Sequence, residues 1–181
     1  NGDVSKWDVA GGTDMSRLFM SATSFNGNLS NWNVVRVTDM TCMFMYATSF
    51  NAHVSKWDVS RVTDMSSMFS ETSFNGDIQE WDVSSVTDMA GMFFETSFNG
   101  ELSGWDVSSV TDMAGMFDST KHFNKDISKW DVSSVTNMNC MFRRARKFNR
   151  DLSEWDVSSV TDMDEMFLDA VLFKQTLCGV D

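Results

Sequence analysis

Apolar and polar residues recur along this chain with a period of 24 or 25 residues. Seven tryptophans mark the period, at Trp7, Trp32, Trp57, Trp81, Trp105, Trp130 and Trp155. Such a period is typical of repeat proteins, in which each unit buries its apolar face only against its neighbours. We therefore expect residues 1–181 to form one continuous repeat solenoid. Because residue 1 already lies inside a unit, we expect the chain to be a fragment of a longer array.

The second repeat shows two different spacings of apolar residues. Leu29, Trp32 and Val34 follow the in-x-x-in-x-in spacing of leucine-rich repeats, and the last two alternate about an outward residue, as in a short β-strand. From Val37 to Phe44 the apolar residues fall at i, i+3, i+6 and i+7, which is typical of a short helix. The sequence therefore predicts a leucine-rich-repeat-like solenoid of seven coils, each with a short parallel β-strand and a short α- or 3₁₀-helix.

The recurring motif Leu-Ser-x-Trp-Asp-Val-Ser-Ser-Val-Thr-Asp-Met-x-x-Met-Phe resembles the bacterial surface protein repeat, a family related to BspA-like leucine-rich repeats. The resemblance covers essentially the whole chain. It implies a leucine-rich-repeat-like fold, a location at the cell surface or outside the cell, and a role in adhesion or protein interaction. It implies no enzyme activity and no catalytic residues.

Composition narrows the range of partners. The net charge of -12 argues against nucleic acid, because affinity for phosphates depends on an excess of Lys and Arg. No run of about 18 or more apolar residues is present, so the sequence predicts no transmembrane segment. The surface of a protein or a glycan is the expected partner, and no cofactor is expected.

Acidic residues recur at fixed positions of the repeat. One column directly follows the tryptophan and includes Asp58, Asp82, Asp106, Asp131 and Asp156. On a strand these side chains point outward, so this column is a candidate face for binding a partner. Either solvent and the neighbouring serines absorb the repulsion between the carboxylates, or the column binds a cationic partner or Ca²⁺. The calcium signal is weak, since no Asp-x-Asp-x-Asp-Gly loop occurs.

Two further ladders follow the same period. The Thr-Asp pair, as in Thr38-Asp39, is expected to cap the short helix. A row of threonines also suggests an ice-binding surface, although capping explains it more simply. An asparagine after the second phenylalanine is expected to form a buried ladder that bonds the backbone of the adjacent coil. Its members are Asn26, Asn51, Asn75, Asn99, Asn124 and Asn149.

Basic residues are concentrated in one part of the chain. No Lys or Arg lies between Val62 and Thr120, whereas eight lie from Lys121 to Arg150. Five of these are expected to cluster on one outer loop: Arg143, Arg144, Arg146, Lys147 and Arg150. The loop is either a solvated surface or a docking patch for an acidic surface, since charge of one sign steers association.

Patterns of catalytic or metal-ligating residues are missing. His53 and His122 occupy unrelated repeat positions, with no Cys or Ser partner at a recognisable spacing. Cys42 and Cys140 lie four repeats apart, too far for a disulfide, and we interpret them and Cys178 as buried or free thiols.

The sequence therefore favours a non-enzymatic module that binds a protein or glycan at a cell surface. A second hypothesis makes the chain a scaffold subunit of a larger assembly. Neither end shows the polar cap that repeat proteins need for solubility, so neighbouring subunits would pack against the uncapped ends.

Overall fold

The repeats lie one upon another in the same register. The computed structural model describes residues 2–176 of the chain. Single-residue parallel β-bridges join equivalent residues of successive repeats, namely Asp14, Asp39, Asp64, Asp88, Asp112, Asn137 and Asp162. Equivalent residues therefore form columns along the stack.

The predicted secondary structure of the repeat is wrong. Residues 2–176 contain no helix of any kind, no β-strand longer than a single bridging residue, and no sheet. The chain is therefore not a leucine-rich-repeat-like solenoid whose coils each pair a short parallel strand with a short α- or 3₁₀-helix. Each repeat is instead a succession of turns, most of them closed by an N–H to C=O bond between residues three apart.

Backbone dihedral angles exclude the predicted helix. Two residues of every repeat have positive φ, and in the second repeat they are Cys42 at 52° and Tyr46 at 62°. A right-handed α-helix requires φ near about −60° at every residue, so neither position can lie within one. At the first position the equivalent residues are Arg17, Ser67, Gly91, Gly115, Cys140 and Glu165, and at the second they are Ser21, Glu71, Glu95, Ser119, Arg144 and Asp169.

Consecutive turns produce the apolar spacing that resembles a helix. The Met43 N–H bonds the Met40 carbonyl at 3.1 Å, and the Ala47 N–H bonds the Phe44 carbonyl at 2.8 Å. Each of these turns has its positive-φ residue at the third position, as type II turns do. Met40, Met43, Phe44 and Ala47 are all 0% exposed, so both turns direct their first and last residues into the core.

Four further backbone N–H groups of this segment find their acceptors in the next repeat. Alternate residues, Met40, Cys42, Phe44 and Tyr46, donate to carbonyls of the following repeat over 2.8 to 3.0 Å. A helix would form its bonds inside one segment, whereas here the neighbouring repeat supplies the acceptors. One repeat alone therefore cannot satisfy its own backbone.

The Trp, Met and Phe side chains point inward, as the sequence predicts. Val62, Met65, Met68 and Phe69 are 0% exposed. The two phenylalanines of each repeat lie nearly parallel, with ring centroids 3.7 to 4.1 Å apart. Equivalent phenylalanine rings of successive repeats follow at 5.6 to 6.3 Å. One apolar core of stacked rings therefore runs along the repeats.

Each buried tryptophan also bonds the preceding repeat. The Trp81 indole N–H donates to the Val54 carbonyl at 3.1 Å. The same bond recurs in every repeat from Trp32 to Trp155, at 3.0 to 3.1 Å. Trp7 is 56% exposed and makes no such bond within the described residues. The sequence predicts that parallel strands join the repeats at this position, whereas the indole side chain joins them.

Replacing Trp81 tests the importance of this bond. We expect Trp81→Phe to lower the free energy of unfolding by about 1–3 kcal/mol, because the Val54 carbonyl loses its donor and the buried ring becomes smaller. Trp7→Phe is the matched control and should cost less than about 0.5 kcal/mol. Urea unfolding followed by circular dichroism measures both, and equal losses would contradict the role of the indole bond.

Candidate functional site

The column predicted to bind a partner consists of turn caps. The Oδ1 atom of Asp82 accepts the Ser84 backbone N–H at 3.1 Å and the Ser84 hydroxyl at 2.6 Å. This is an Asx turn, in which the side chain closes the loop that the backbone leaves open. The other members of this outer acidic column accept the N–H two residues on in the same way: Asp58, Asp106, Asp131 and Asp156.

Hydrogen bonds from serine stabilise the ionised form of three members of the outer acidic column, Asp58, Asp131 and Asp156. The Ser133 hydroxyl and backbone N–H lower the pKa of Asp131, and Ser60 lowers the pKa of Asp58 in the same way. The same pair of bonds lowers the pKa of Asp156. Only Oδ1 is used, and Oδ2 makes no bond within the described part of the chain. At neutral pH the column therefore presents one fixed, exposed carboxylate in each of these five repeats, whereas Asn33 occupies the position in the second repeat.

The outer acidic column does not form a metal cage. Within residues 2–176, no three His, Cys, Asp or Glu side chains come close enough together to hold a metal ion. Ca²⁺ requires six to eight oxygen ligands at short distance, roughly 2.3 to 2.6 Å. The geometry therefore gives the calcium hypothesis no support.

The Thr-Asp pairs join repeats and cap turns; they do not cap helices, because residues 2–176 contain none. The Oδ1 atom of Asp39 accepts the Thr41 N–H at 2.8 Å. The Thr63 hydroxyl donates to the Thr38 carbonyl of the preceding repeat at 3.1 Å, and this bond recurs as far as Thr161. These hydroxyls therefore join successive repeats through their donated bonds.

Burial distinguishes the inner acidic column, which consists of Asp39, Asp64, Asp88, Asp112 and Asp162. Burial raises the pKa of Asp88; the Ala90 N–H opposes this shift, and repulsion from the carboxylates of the two adjacent repeats adds to it. Asn137 interrupts the column, and its amide donates to the Asp112 Oδ2 atom at 3.0 Å. One amide in the column therefore replaces repulsion by a hydrogen bond.

The asparagine ladder is confirmed in its bonding but not in its burial. The Asn75 N–H donates to the Asn51 Oδ1 atom at 2.9 Å, and the Lys174 N–H ends the ladder on Asn149. The bond joins every adjacent pair of asparagines at 2.9 to 3.1 Å. The prediction that the ladder is buried is wrong, because Asn26 and the next two members are exposed.

The Arg143 side chain forms ion pairs with two other repeats instead of lying with the predicted basic loop. Its Nη2 atom lies 2.7 Å from Asp118 Oδ2, and its Nη1 atom lies 3.0 Å from Glu165 Oε2. Asp118 belongs to the preceding repeat and is only 2% exposed, and Glu165 belongs to the following one. The bonds to Asp118 and Glu165 raise the pKa of the guanidinium above its ordinary value. Arg143 therefore joins three repeats and is not available to a partner.

The other four basic residues differ in the hydrogen bonds and ion pairs that their side chains make. The Arg150 Nε atom donates to the Asn124 carbonyl at 2.7 Å. Arg144 makes one pair of 3.8 Å in which both side chains are more than half exposed. Arg146 and Lys147 form an exposed turn and make no ion pair within residues 2–176. Charge for a docking patch therefore remains on Arg144, Arg146, Lys147 and Arg150, because a bond to a neutral carbonyl leaves the guanidinium of Arg150 charged.

A polar cleft that no sequence motif indicates lies beside this basic segment. Its volume is about 300 Å³, and it is lined by Glu95, Thr96, Ser97, Ser119, Lys121, His122 and Arg144. These residues come from three successive repeats. They occupy variable positions of the repeat, so the periodic pattern carries no signal for the polar cleft.

The histidines and cysteines do not come together. His53 and His122 are both exposed and belong to different repeats. Cys42 and Cys140 are free and partly buried, and burial raises the pKa of the Cys140 thiol. Cys178 lies outside the described residues. A search of residues 2–176 finds no helix with the length and apolarity to cross a membrane.

Replacing Arg143 tests its role in joining three repeats. We expect Arg143→Met to lower the free energy of unfolding by about 2–3 kcal/mol, because Asp118 stays buried without its partner. The adjacent Arg144→Met is the matched control and should cost less than about 1 kcal/mol, as exposed pairs do. Urea unfolding measures both. Adding Asp118→Asn to Arg143→Met should recover part of the loss, and a failure to recover any would count against the pairing.

Replacing Asp88 tests the repulsion in the inner acidic column. We expect Asp88→Asn to raise the free energy of unfolding at pH 7 by roughly 0.2–1 kcal/mol, the usual size of a like-charge contact. An asparagine can keep the turn bond, as Asn137 does with the Asn139 N–H at 3.1 Å. Because folding raises the pKa of Asp88, the wild-type chain gains stability relative to the variant as pH falls through that value.

The advantage of Asp88→Asn should therefore vanish below the ordinary value of 3.8. Asp131→Asn is the control of opposite sign. Its pKa is lowered by folding, so the wild-type residue contributes stability at pH 7 that is lost as pH falls. Unfolding curves between pH 7 and pH 3 test both variants, and a pH-independent difference for Asp88→Asn would contradict repulsion between carboxylates of the inner acidic column.

Comparison with protein-family models matches the chain over residues 1–97 and again over residues 70–179. Both matches are to the family described as Mycoplasma protein of unknown function, DUF285. They overlap, as expected when a family model spans several repeats of one array. No curated protein and no solved structure matches the chain significantly. Because the family matches together cover nearly all of the sequence, this chain belongs to the DUF285 family.

Proposed function

We propose that this chain is a non-enzymatic interaction module, acting at a cell surface or outside the cell, that binds a protein or glycan through the outer faces of its stacked repeats. The outer acidic column carries the proposal. It presents the same carboxylate in every repeat from Asp58 to Asp156, each held by a turn bond. Side chains that are already fixed lose little freedom on binding, so the column suits a partner with basic groups along its length.

The surface location depends on the sequence motif. The description of the DUF285 family states no function. The resemblance of the motif to bacterial surface repeats, including those of BspA-like proteins, supports a surface or secreted protein and a role in adhesion. The leucine-rich-repeat fold is not part of this proposal, because the repeat consists of turns.

Charge removal from the outer acidic column tests the proposal. The triple variant Asp82→Asn/Asp106→Asn/Asp131→Asn removes three charges and keeps an oxygen that can accept the turn N–H, as Asn33 does for Val35 at 3.2 Å. Partners are first selected with a panel of basic surface proteins and glycans, and affinities are then measured by biolayer interferometry. We expect the triple variant to bind at least about tenfold more weakly.

A variant with the same change in net charge serves as the control. Asp77→Asn/Asp126→Asn/Asp151→Asn alters three other turn-capping carboxylates, each of which also accepts the N–H two residues on. This variant should bind like the wild-type chain. Unchanged binding by the first variant, or an equal loss in both, would contradict a role for the outer acidic column.

A second candidate is favoured by apolar side chains exposed at both ends of the described stack. Trp7 and Leu18 are 56% and 44% exposed at one end, and Val171 and Leu168 are 67% and 46% exposed at the other. Exposed apolar patches are typical of protein interfaces. On this reading the chain is a scaffold subunit whose ends pack against neighbouring subunits. Sedimentation velocity separates the two candidates, because a chain that is monomeric at every concentration does not fit the scaffold.

A further inference from the structure

The polar cleft lies where the outer connection of the repeat changes length. One residue, Ser97, forms this connection in one repeat, whereas Lys121 and His122 form it in the next. At the opposite change, from two residues to one, the Ser73 hydroxyl donates to the Thr48 carbonyl at 2.7 Å and closes the step. The Ser97 hydroxyl makes no hydrogen bond within the described residues, and the step beside it stays open as a cleft of about 300 Å³.

The charges around the polar cleft are unevenly distributed. Lys121, His122 and Arg144 supply basic side chains from two successive repeats, and Glu95 supplies one carboxylate from the repeat before. Neither Lys121 nor His122 has an ion pair among residues 2–176. The 3.8 Å contact of Arg144 with Asp169 is exposed and therefore weak. Even with His122 neutral, the polar cleft is positive in a chain whose net charge is -12.

Hydroxyl groups complete the lining. The Ser119 hydroxyl donates to Asp118 at 3.0 Å, and the Thr96 hydroxyl donates to the Phe93 carbonyl at 2.9 Å. The Thr96 oxygen also accepts the Phe98 N–H at 3.3 Å, so the Ser119 oxygen is the one whose lone pairs are both left to accept a hydrogen bond. The Ser97 hydroxyl can both donate and accept. This part of the polar cleft suits a ligand that carries several hydroxyl groups.

We propose that the polar cleft binds a sugar with a single carboxylate, such as a hexuronate unit of an acidic glycan. The carboxylate faces the three basic side chains, and the ring hydroxyls bond Ser97, Ser119 and Glu95. A volume of about 300 Å³ is at the lower end for small-molecule sites and exceeds what a lone phosphate fills. A second negative group on the ligand would meet Glu95. This inference goes beyond the proposed function, because the polar cleft is separate from the outer acidic column and takes a ligand of the opposite charge.

Titration of the ¹⁵N-labelled chain with glucuronate, followed by NMR, tests the assignment. Glucuronate should shift the amide signals of residues 95–97, 119–122 and 144, with saturation in the millimolar range expected roughly for a single sugar. Glucose lacks the carboxylate and acetate lacks the hydroxyls, so each should bind at least about tenfold more weakly.

Two double variants locate the site. Lys121→Gln/His122→Gln should weaken glucuronate binding at least about tenfold. Arg146→Gln/Lys147→Gln changes the equivalent turn of the next repeat and should leave the affinity unchanged. Both pairs of residues are exposed, so neither variant is expected to disturb the fold.

Several outcomes would overturn the assignment: an affinity for acetate or glucose equal to that for glucuronate, or an equal effect of the two double variants. The triple variant of the outer acidic column should still bind glucuronate. If the wild-type chain does not bind glucuronate but keeps a partner that depends on the outer acidic column, the assignment of the polar cleft fails and the proposed function stands.

Discussion

Contact between neighbouring repeats is the interaction on which this structure depends. A repeat of turns has no helix or sheet of its own, and alternate N–H groups of its core segment find acceptors only in the next repeat. In the part of the chain that the structure describes, twelve residues other than glycine adopt positive φ, a conformation that costs about 1 kcal/mol or more each. Stacked rings and indole bonds between repeats offset that cost. The fold therefore exists only as a stack.

The regular polar residues serve the backbone before they serve any partner. Aspartates of the outer acidic column cap one turn per repeat, and a second row caps another, at Asp3, Asp77, Asp126 and Asp151. Threonine and asparagine columns bond the backbone of adjacent repeats. The regularity of these residues therefore has a structural cause. A partner would bind these aspartates through Oδ2, the carboxylate oxygen that accepts no turn bond.

The sequence predicts the period, the inward faces and the asparagine bonds because each depends on a residue type repeated at one position. It does not predict the turns. The spacing from Val37 to Phe44 fits a helix, and the positive φ that excludes one falls on residues such as Cys42 and Tyr46, which do not favour it. Only Gly91 and Gly115, at the first positive-φ position, carry the residue type that would have indicated a turn there.

The candidate sites show the same limit. The sequence places five basic residues close together, but the partners of Arg143 lie 22 and 25 residues away and depend on how the repeats stack. The polar cleft depends on a difference of one residue between two connections and on basic side chains at variable positions of the repeat, Lys121, His122 and Arg144. Features that depend on differences between repeats cannot be predicted from the residues that the repeats share.

The direction of the bonds between repeats has an electrical consequence. In a parallel β-sheet, successive N–H groups point to opposite sides of the strand, so their dipoles across the sheet largely cancel. Here the four N–H groups of each core segment point toward the following repeat, as those of Met40, Cys42, Phe44 and Tyr46 do. Their dipoles add along the stacking axis, whereas the Thr and Asn N–H groups, the Thr hydroxyls and the indole N–H groups donate to the preceding repeat and have dipoles of the opposite direction. The core segment is therefore polarised toward the last repeat, and the bonds elsewhere in the repeat are polarised toward the first, so the two sets of dipoles offset each other along the stack.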